Sequence, residues 1–336
     1  MRVVIIGFGV VGQSFAKLLL SRSADLYNQH GMKPRIIACV DNGGLAVAPA
    51  GLDLKRLLEA KKTGGTVGAY EKGTTKFDSL QVIEKVDAEV MLECTPTNLS
   101  DGEPATSHIT TAMRSHKHVI CVNKGPLALA FPSLIELANY NGVMLRFSGT
   151  VGGGTPILEF AKRCLKGDRI ISFKGILNGT TNYILSKMEQ GQTYDSAMND
   201  AKEKGYAEAN PSLDVDGFDA AAKLVIMANW IMGMKVTMKD IHRTGIVNIR
   251  LSDVKNAVER GNAVKLLALC DNRRLHVAPT EVAKTDPICV NGTLNAVTFS
   301  SEHSGQQTII GRGAGGMETA SAILRDLIEI REATFS

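Results

Sequence analysis

The sequence predicts an α/β chain in two parts, a doubly wound parallel sheet followed by a second, α+β unit. Three observations lead there. The runs RVVII (2–6), RIIACVD (35–41), AEVMLECTP (88–96) and KHVICVNK (117–124) are apolar without alternation, as strands buried on both faces are. Helical segments stand between them, QSFAKLLLSR after the first strand and EPATSHITTAMRSH, entered through Pro104, before the fourth. GVMLRFSG (142–149) reads as one more strand. Beyond it the order breaks into short strands, RIISFKGIL, LHVAPTEV and NAVTFSS, mixed with helices, which is the pattern of an α+β unit. The expected boundaries are 1–149 for the first domain and 150–305 for the second. The tail 306–336, a glycine-rich turn entering a helix, is expected to return to the first domain.

At 336 residues the chain is long enough for two cores. The net charge of +4 forms no long basic run, so nucleic acid is not an expected partner. Six widely spaced cysteines with no CxxC pair read as buried, reduced thiols of a cytoplasmic protein. No apolar stretch reaches the ~20 residues of a membrane span.

The first strand runs directly into GFGVVG and then a helix. Strand, glycine turn and helix in that order open a dinucleotide-binding, Rossmann-type unit. Gly7 allows the tight turn, Gly9 the approach of backbone to pyrophosphate, and Gly12 helix–strand packing. The helix N-terminus offers its N–H groups to the phosphates. The second strand ends in Asp41, placed to bind the adenosine ribose hydroxyls, although it lies further from the glycines than the usual ~20 residues. The extra length is the polar stretch SADLYNQHGMKP. No arginine stands beside Asp41, which leans toward NAD over NADP. Lys55, Arg56, Lys61 and Lys62 lie downstream and are read as a solvated helix face.

The stretch GYAEANPSLDVDGFDAAAKLVIMANWIM (205–232) places Glu208, Asp214, Asp216 and Asp219 at the start of an apolar helix, with Lys223 just inside it. Asn210 and Pro211 keep the first half from being helical, and Asp214 or Asp216 is expected to cap a helix running from about Gly217 to Met234. Asp219 and Lys223 stand four apart on one face. A lone charged pair on a buried helix should face a polar cavity. The lysine amine there can exchange a proton with a substrate oxygen, and the acids before it suit an ammonium group. A hydride-accepting cofactor with such a lysine makes an alcohol dehydrogenase acting on an amino acid.

These segments, with TVGGGTPIL (150–158), GILNGTTNYIL (175–185), VNK (122–124) and GRGAGG (311–316), resemble the homoserine dehydrogenases along nearly the whole chain. The resemblance implies a dimerising catalytic domain and reversible NAD(P)-linked oxidation of L-homoserine to L-aspartate 4-semialdehyde, a step toward threonine and methionine. It implies Lys223 as the catalytic lysine, Asp219 as the acid orienting the hydroxyl, and Lys124 between nicotinamide and substrate. Glu208, Asp214, Tyr206, Gly179 and Thr180 are implied as substrate contacts. For the cofactor it adds Phe8, Val10, Val11, Thr95, Pro96, Gly313 and Gly315. Relatives often carry a glutamate for a monovalent cation where this chain has Ser148, which leaves the backbone carbonyls of Val151 and Gly153 for Na⁺ or K⁺.

The chain as read matches the short form, with no regulatory domain and no aspartokinase segment, so threonine feedback is not expected. Two alternatives are another NAD(P)-dependent amino-acid dehydrogenase and a non-catalytic dinucleotide-binding regulator. The second would be expected to lack the Asp219–Lys223 pair. His116 and His118 read as a solvated turn, not a metal site. HRTGIVNI (242–249) reads as structural.

Overall fold

The computed structural model describes residues 1–271 and 274–335. They form two compact units, Met1–Thr150 with the segment from Gly315 onward, and Val151–Ala314.

The first unit runs β1 (Arg2–Ile6), α1 (Val10–His30), β2 (Arg35–Asp41), β3 (Gly44–Val47), α2 (Leu54–Gly64), α3 (Ser79–Lys85), β4 (Val90–Glu93), α4 (Ala105–Arg114), β5 (His118–Cys121), α5 (Lys124–Tyr140) and β6 (Leu145–Arg146). Its sheet has the order β3-β2-β1-β4-β5-β6, parallel throughout except for the β2–β3 hairpin. The order reverses between β1 and β4. In sheets of this kind ligands bind beyond the strand ends at that point. Val3 to Ile6 of β1 are buried from both sides, as a central parallel strand requires.

Three expectations are corrected here. Most of the polar stretch after the first helix is helical: α1 continues to His30, with Leu26 buried in the core. It stops where Gly31 turns left-handed and the amides of Gly31 and Met32 bond the carbonyls of Tyr27 and Leu26, a Schellman-type ending. The strand expected at 142–149 shrinks to β6, because Ser148–Thr150 wind into a helical turn. The tail re-enters the first unit at Gly315, not 306. Its helix, Gly316–Phe335, puts Ala320, Ile323, Leu324, Leu327 and Ile330 into one cluster with Ile5, Phe8, Phe15 and Leu19. Each fully buried Leu or Ile there contributes about 1.5–3 kcal/mol.

The second unit runs α6 (Ile157–Glu159), a π-helical turn at Phe160–Cys164, β7 (Ile170–Ile176), α7 (Gly179–Glu189), α8 (Tyr194–Glu203), α9 (Ser212–Val215), α10 (Phe218–Met232), β8 (His242–Arg243), α11 (Leu251–Glu259), β9 (Asn262–Asp271), β10 (Arg274–Ala283), β11 (Leu294–Ser301) and β12 (Gly305–Arg312). The sheet order is β12-β11-β7-β9-β10-β8, antiparallel apart from β10–β8. β12 is the part of the tail that stays with this unit, paired along its whole length with β11.

α10 is buried from Ala220 through Asn229 and ends two residues early, at the left-handed Gly233. Neither Asp214 nor Asp216 caps it; its N-cap is Gly217, in a left-handed conformation with no side-chain cap. HRTGIVNI braces this start instead. The Arg243 guanidinium lies 3.5 Å over the Phe218 ring and donates to the Asp216 carbonyl, while the Ile246 amide donates to the Val215 carbonyl. Cys39, Cys121 and Cys270 are buried thiols, but Cys164, on the π-helical turn, is exposed. Among the described residues no helix is long and apolar enough to cross a membrane.

Candidate active site

At the switch point of the first unit, Gly7 has φ +97°, and a Cβ there would stand 2.6 Å from the Cys94 carbonyl group of the neighbouring strand end. A Cβ at Gly12 would meet the Gly7 carbonyl at 2.6 Å, so these two glycines hold strand, turn and helix together. Gly9 is different. Nothing lies within 4 Å of where its Cβ would be, and as N-cap of α1 it has no capping side chain. Open space beside uncapped N–H groups fits a pyrophosphate. Phe8 is buried, Val10 is exposed at the start of α1, and Val11 is partly buried.

Asp41 ends β2 as expected, but its carboxylate is already spent. One oxygen accepts from the Gly43 amide at 3.0 Å and the Thr66 hydroxyl at 2.6 Å. The other accepts from Lys61 Nζ at 2.6 Å and the Val67 amide at 3.0 Å. Burial alone would raise its pKa; Lys61, Thr66 and the two amides outweigh that and hold it below the usual value. Lys61 also donates to the Gly65 carbonyl at 2.8 Å. The reading of Lys61 as part of a solvated face is corrected: it closes the Asp41 carboxylate from one side.

Beyond β4, Thr95 and Pro96 are held by two residues the sequence did not single out. The fully buried Glu93 accepts from the Thr95 amide at 2.7 Å and from its hydroxyl. Its other oxygen faces His108 Nδ1 at 2.8 Å, and His108 Nε2 meets the Ser79 hydroxyl at 3.0 Å. Asn123 Nδ2 donates to the carbonyls of Thr95 and Pro96 at 3.1 and 2.9 Å. Its Oδ1 accepts the Gly125 amide at 2.9 Å, capping α5, whose first residue is Lys124. Asn123 therefore ties the turn after β4 to the helix carrying Lys124. Gly315 has φ +135°, a conformation only glycine adopts readily. Ser148 donates to the buried Asp326 through its hydroxyl and its amide. His116 Nδ1 faces the Asn141 carbonyl, and His118 Nδ1 accepts the Met144 amide.

In the second unit Asp214, Asp219 and Lys223 come together, and they do so around Asn178. Lys223 Nζ stands 2.7 Å from Asp219 Oδ2 and 2.7 Å from the Leu177 carbonyl. Asn178, the N-cap of α7, donates from Nδ2 to Asp214 at 2.6 Å and to Asp219 at 2.9 Å. One amide thus bridges two carboxylates beside one lysine. Burial, then the Asp219 charge, push the Asp214 pKa up, with the Asn178 bond opposing them. Gly179 opens α7, where a Cβ would meet the Thr293 carbonyl at 2.8 Å. Thr180 donates to the Tyr206 carbonyl at 2.8 Å, and the Tyr206 ring lies 4.9 Å from that of Tyr183. Glu208 is exposed on the segment between α8 and α9 and does not join the cluster. Val151 and Gly153 are buried in the turn that opens this unit. Gly313 sits against Asn295, a fourth unanticipated residue after Glu93, Asn123 and Asn178. All four were inside quoted segments, but an asparagine or a lone acid carries no periodic signal.

A model of the homoserine dehydrogenase family matches residues 156–328, and residues 1–121 match a model described as glutamate/leucine/phenylalanine/valine dehydrogenase. The chain is 43% identical over 335 residues to a homoserine dehydrogenase of Methanocaldococcus jannaschii, covering 99% of each chain. It is 35% identical to an NAD(+)-dependent homoserine dehydrogenase of Pseudomonas canavaninivorans, across 99% of this chain and 96% of that one. It is also similar to the structure of a hyperthermophilic archaeal homoserine dehydrogenase in complex with NADPH, with TM-score 0.87 and 27% identity over 100% of this chain and 98% of that one. With a family model across half its length and full-length relatives above 30% identity, the chain belongs to the homoserine dehydrogenase family.

Proposed function

We propose that the chain interconverts L-homoserine and L-aspartate 4-semialdehyde with Lys223 as the proton acceptor, and that the cluster around Asn178 is the substrate site. The observation carrying this is the position of Lys223 Nζ, 2.7 Å from both Asp219 and the Leu177 carbonyl on an otherwise apolar helix. Those contacts occupy two positions on the nitrogen and fix the direction of the third, where a neutral amine carries the lone pair that accepts a proton. In the oxidative direction a deprotonated Lys223 takes the substrate hydroxyl proton, directly or through water. Asp219 orients that hydroxyl, and Asp214 holds the substrate ammonium; Glu208, exposed on the segment before α9, would reach it only by moving toward the cluster. Tyr206, Gly179 and Thr180 shape the wall. Lys124 stabilises charge developing on the substrate oxygen.

NAD(P), when bound, supplies the hydride acceptor. Gly7, Phe8, Gly9, Val10, Val11 and Gly12 would cradle its pyrophosphate, Thr95 and Pro96 its nicotinamide end, and Gly313 and Gly315 would approach it from the tail. Preference for NAD over NADP is slight in this reading, because Asp41 keeps a negative charge at the end of β2 while Lys61 covers it. A Na⁺ or K⁺ ion on the Val151 and Gly153 carbonyls is the further ligand this reading assigns. Assembly as a cytoplasmic homodimer through the second unit is supported by Ile171 and Ile310, each 47% exposed on that unit's sheet.

The test follows formation of reduced nicotinamide with L-homoserine and either dinucleotide. A rise in absorbance with L-homoserine, and none with L-aspartate as the offered substrate, is expected. No rise with either dinucleotide, in protein that still binds them, would overturn the assignment.

A further inference from the structure

We infer that Asn295 is a positioning residue for the Lys223 proton acceptor, acting through the Leu177 carbonyl. That carbonyl takes two donors, Lys223 Nζ at 2.7 Å and Asn295 Nδ2 at 2.8 Å. A carbonyl oxygen has two lone pairs, so both are used and the direction of the Leu177–Asn178 peptide is set. This peptide matters twice. Its oxygen anchors Lys223, and the next side chain, Asn178, bridges Asp214 and Asp219. A rotation of it would misplace the lysine and both acids together.

Asn295 itself is held by room left for it. It lies near the start of β11, 1% exposed, and a Cβ added at Gly313 would fall on its amide. Its Oδ1 is buried without a hydrogen-bond partner among the described residues. An unpaired buried acceptor is costly, and a leucine would fill the same space without that cost. The amide therefore earns its place through the one bond it makes, to Leu177. Gly313, implied as a cofactor contact, also has this packing reason to lack a side chain, which links the 311–315 loop to the lysine through one side chain.

This inference rests on Lys223 being the proton acceptor, so Lys223→Ala is measured alongside. Asn295→Leu keeps the packing and removes the donor; Asn295→Ala removes both. Each is expected to lower kcat for homoserine oxidation by roughly tenfold, the effect of one misplaced hydrogen bond in the transition state, with KM for dinucleotide unchanged within about twofold. Gly313→Ala, which displaces the amide, should lower kcat similarly. At saturating dinucleotide, where any cofactor contact of Gly313 is carried by KM, the Asn295→Ala/Gly313→Ala double variant should have a kcat no lower than that of Asn295→Ala alone, the non-additivity of two changes acting on one contact. Wild-type kcat in Asn295→Leu, or effects that multiply in the double variant, would overturn the proposal while a dead Lys223→Ala leaves the site reading standing. Near-normal turnover in Lys223→Ala would overturn both. Dinucleotide binding by each variant reports that it has folded, and should Asn295→Leu not fold, Gly313→Ala with the double variant still decides.

Discussion

The molecule contains two aspartate–lysine pairs of nearly equal length, Asp41–Lys61 at 2.6 Å in the first unit and Asp219–Lys223 at 2.7 Å in the second. Distance does not separate them; their neighbours do. Around Asp41 every oxygen lone pair is met by a donor of the protein, two amides and a hydroxyl besides the lysine. That pair is closed. Beside Asp219 stand a second carboxylate, Asp214, one lysine and the Asn178 amide that bridges the two acids, with the Thr180 hydroxyl on Asp214. Negative charge is in surplus there, and the push that Asp214 receives from burial and from Asp219 is its electrostatic trace. Both lysines make two contacts, Lys61 with Asp41 and the Gly65 carbonyl and Lys223 with Asp219 and the Leu177 carbonyl, so it is the saturation of the Asp41 carboxylate and the second acid beside Lys223 that set the pairs apart.

The sharpest way to break this comparison is to remove each lysine. Lys223→Ala is expected to lower turnover by about 10³-fold or more, at the upper part of what a general base contributes, with dinucleotide binding retained. Lys61→Ala should leave kcat with the preferred dinucleotide within about twofold. Steady-state rates with titrated dinucleotide decide both. Equal losses would mean that the closed and open environments make no functional difference.

Stability should follow the opposite order. Asp41→Ala strands Lys61, Thr66 and two amides in a partly buried setting, where each polar group left unpaired costs up to about 1–3 kcal/mol, less what water recovers. Thermal unfolding should show a clear fall in Tm. The pH dependence has a defined sign. The Asp41 pKa is lower in the folded state, so its stabilisation is full above the unfolded value of about 3.9 and is lost as pH falls through the folded value. In Asp41→Asn that part of the acid loss should vanish. An unchanged acid profile would show that the four donors do not favour the charged carboxylate.

The two pairs were unequally legible. Asp219–Lys223 could be read directly, because i and i+4 on an apolar helix is a local pattern. Asp41 could be placed, since it ends a β-branched run after a glycine fingerprint. Its partner could not, because Lys61 lies 20 residues on, and its helix has the composition of a solvated face. The same limit hid Asn178, 36 residues from Asp214, and Asn295, 118 residues from Leu177. Strands β9 and β12 were missed for a different reason. Central β9 is nearly all apolar, as a buried helix segment also is, and edge strand β12 is polar at GQQT and interrupted by glycine.

A smaller effect sharpens the open cluster from within. The Asn178 bond favours the charged form of Asp214, against burial and the Asp219 charge. Asn178→Ala should therefore raise the Asp214 pKa further and move the acid limb of kcat/KM for homoserine to higher pH. The loss relative to the parent enzyme should be greater at pH 5 than at pH 8. A limb that stays in place would mean that Asp214 is not the group whose ionisation substrate binding requires.

The smallest expected effect concerns the closed pair and the choice of dinucleotide. On the proposed reading Asp41 would repel a 2′-phosphate and Lys61 attract one, so that together they would nearly cancel and leave a slight preference for NAD. Removing the cation uncovers the carboxylate. Lys61→Ala should raise the ratio of kcat/KM for NAD over NADP by about threefold to fivefold, the size of one partly exposed charge interaction of up to about 1 kcal/mol. Because that interaction is screened, the change should shrink as ionic strength rises toward 1 M, where the Debye length falls to about 3 Å. A ratio that moves toward NADP would require Asp41 to swing away once Lys61 is gone. The hydroxyl of Thr66 and the amides of Gly43 and Val67 hold it against that movement, and these three bonds remain when the lysine is removed.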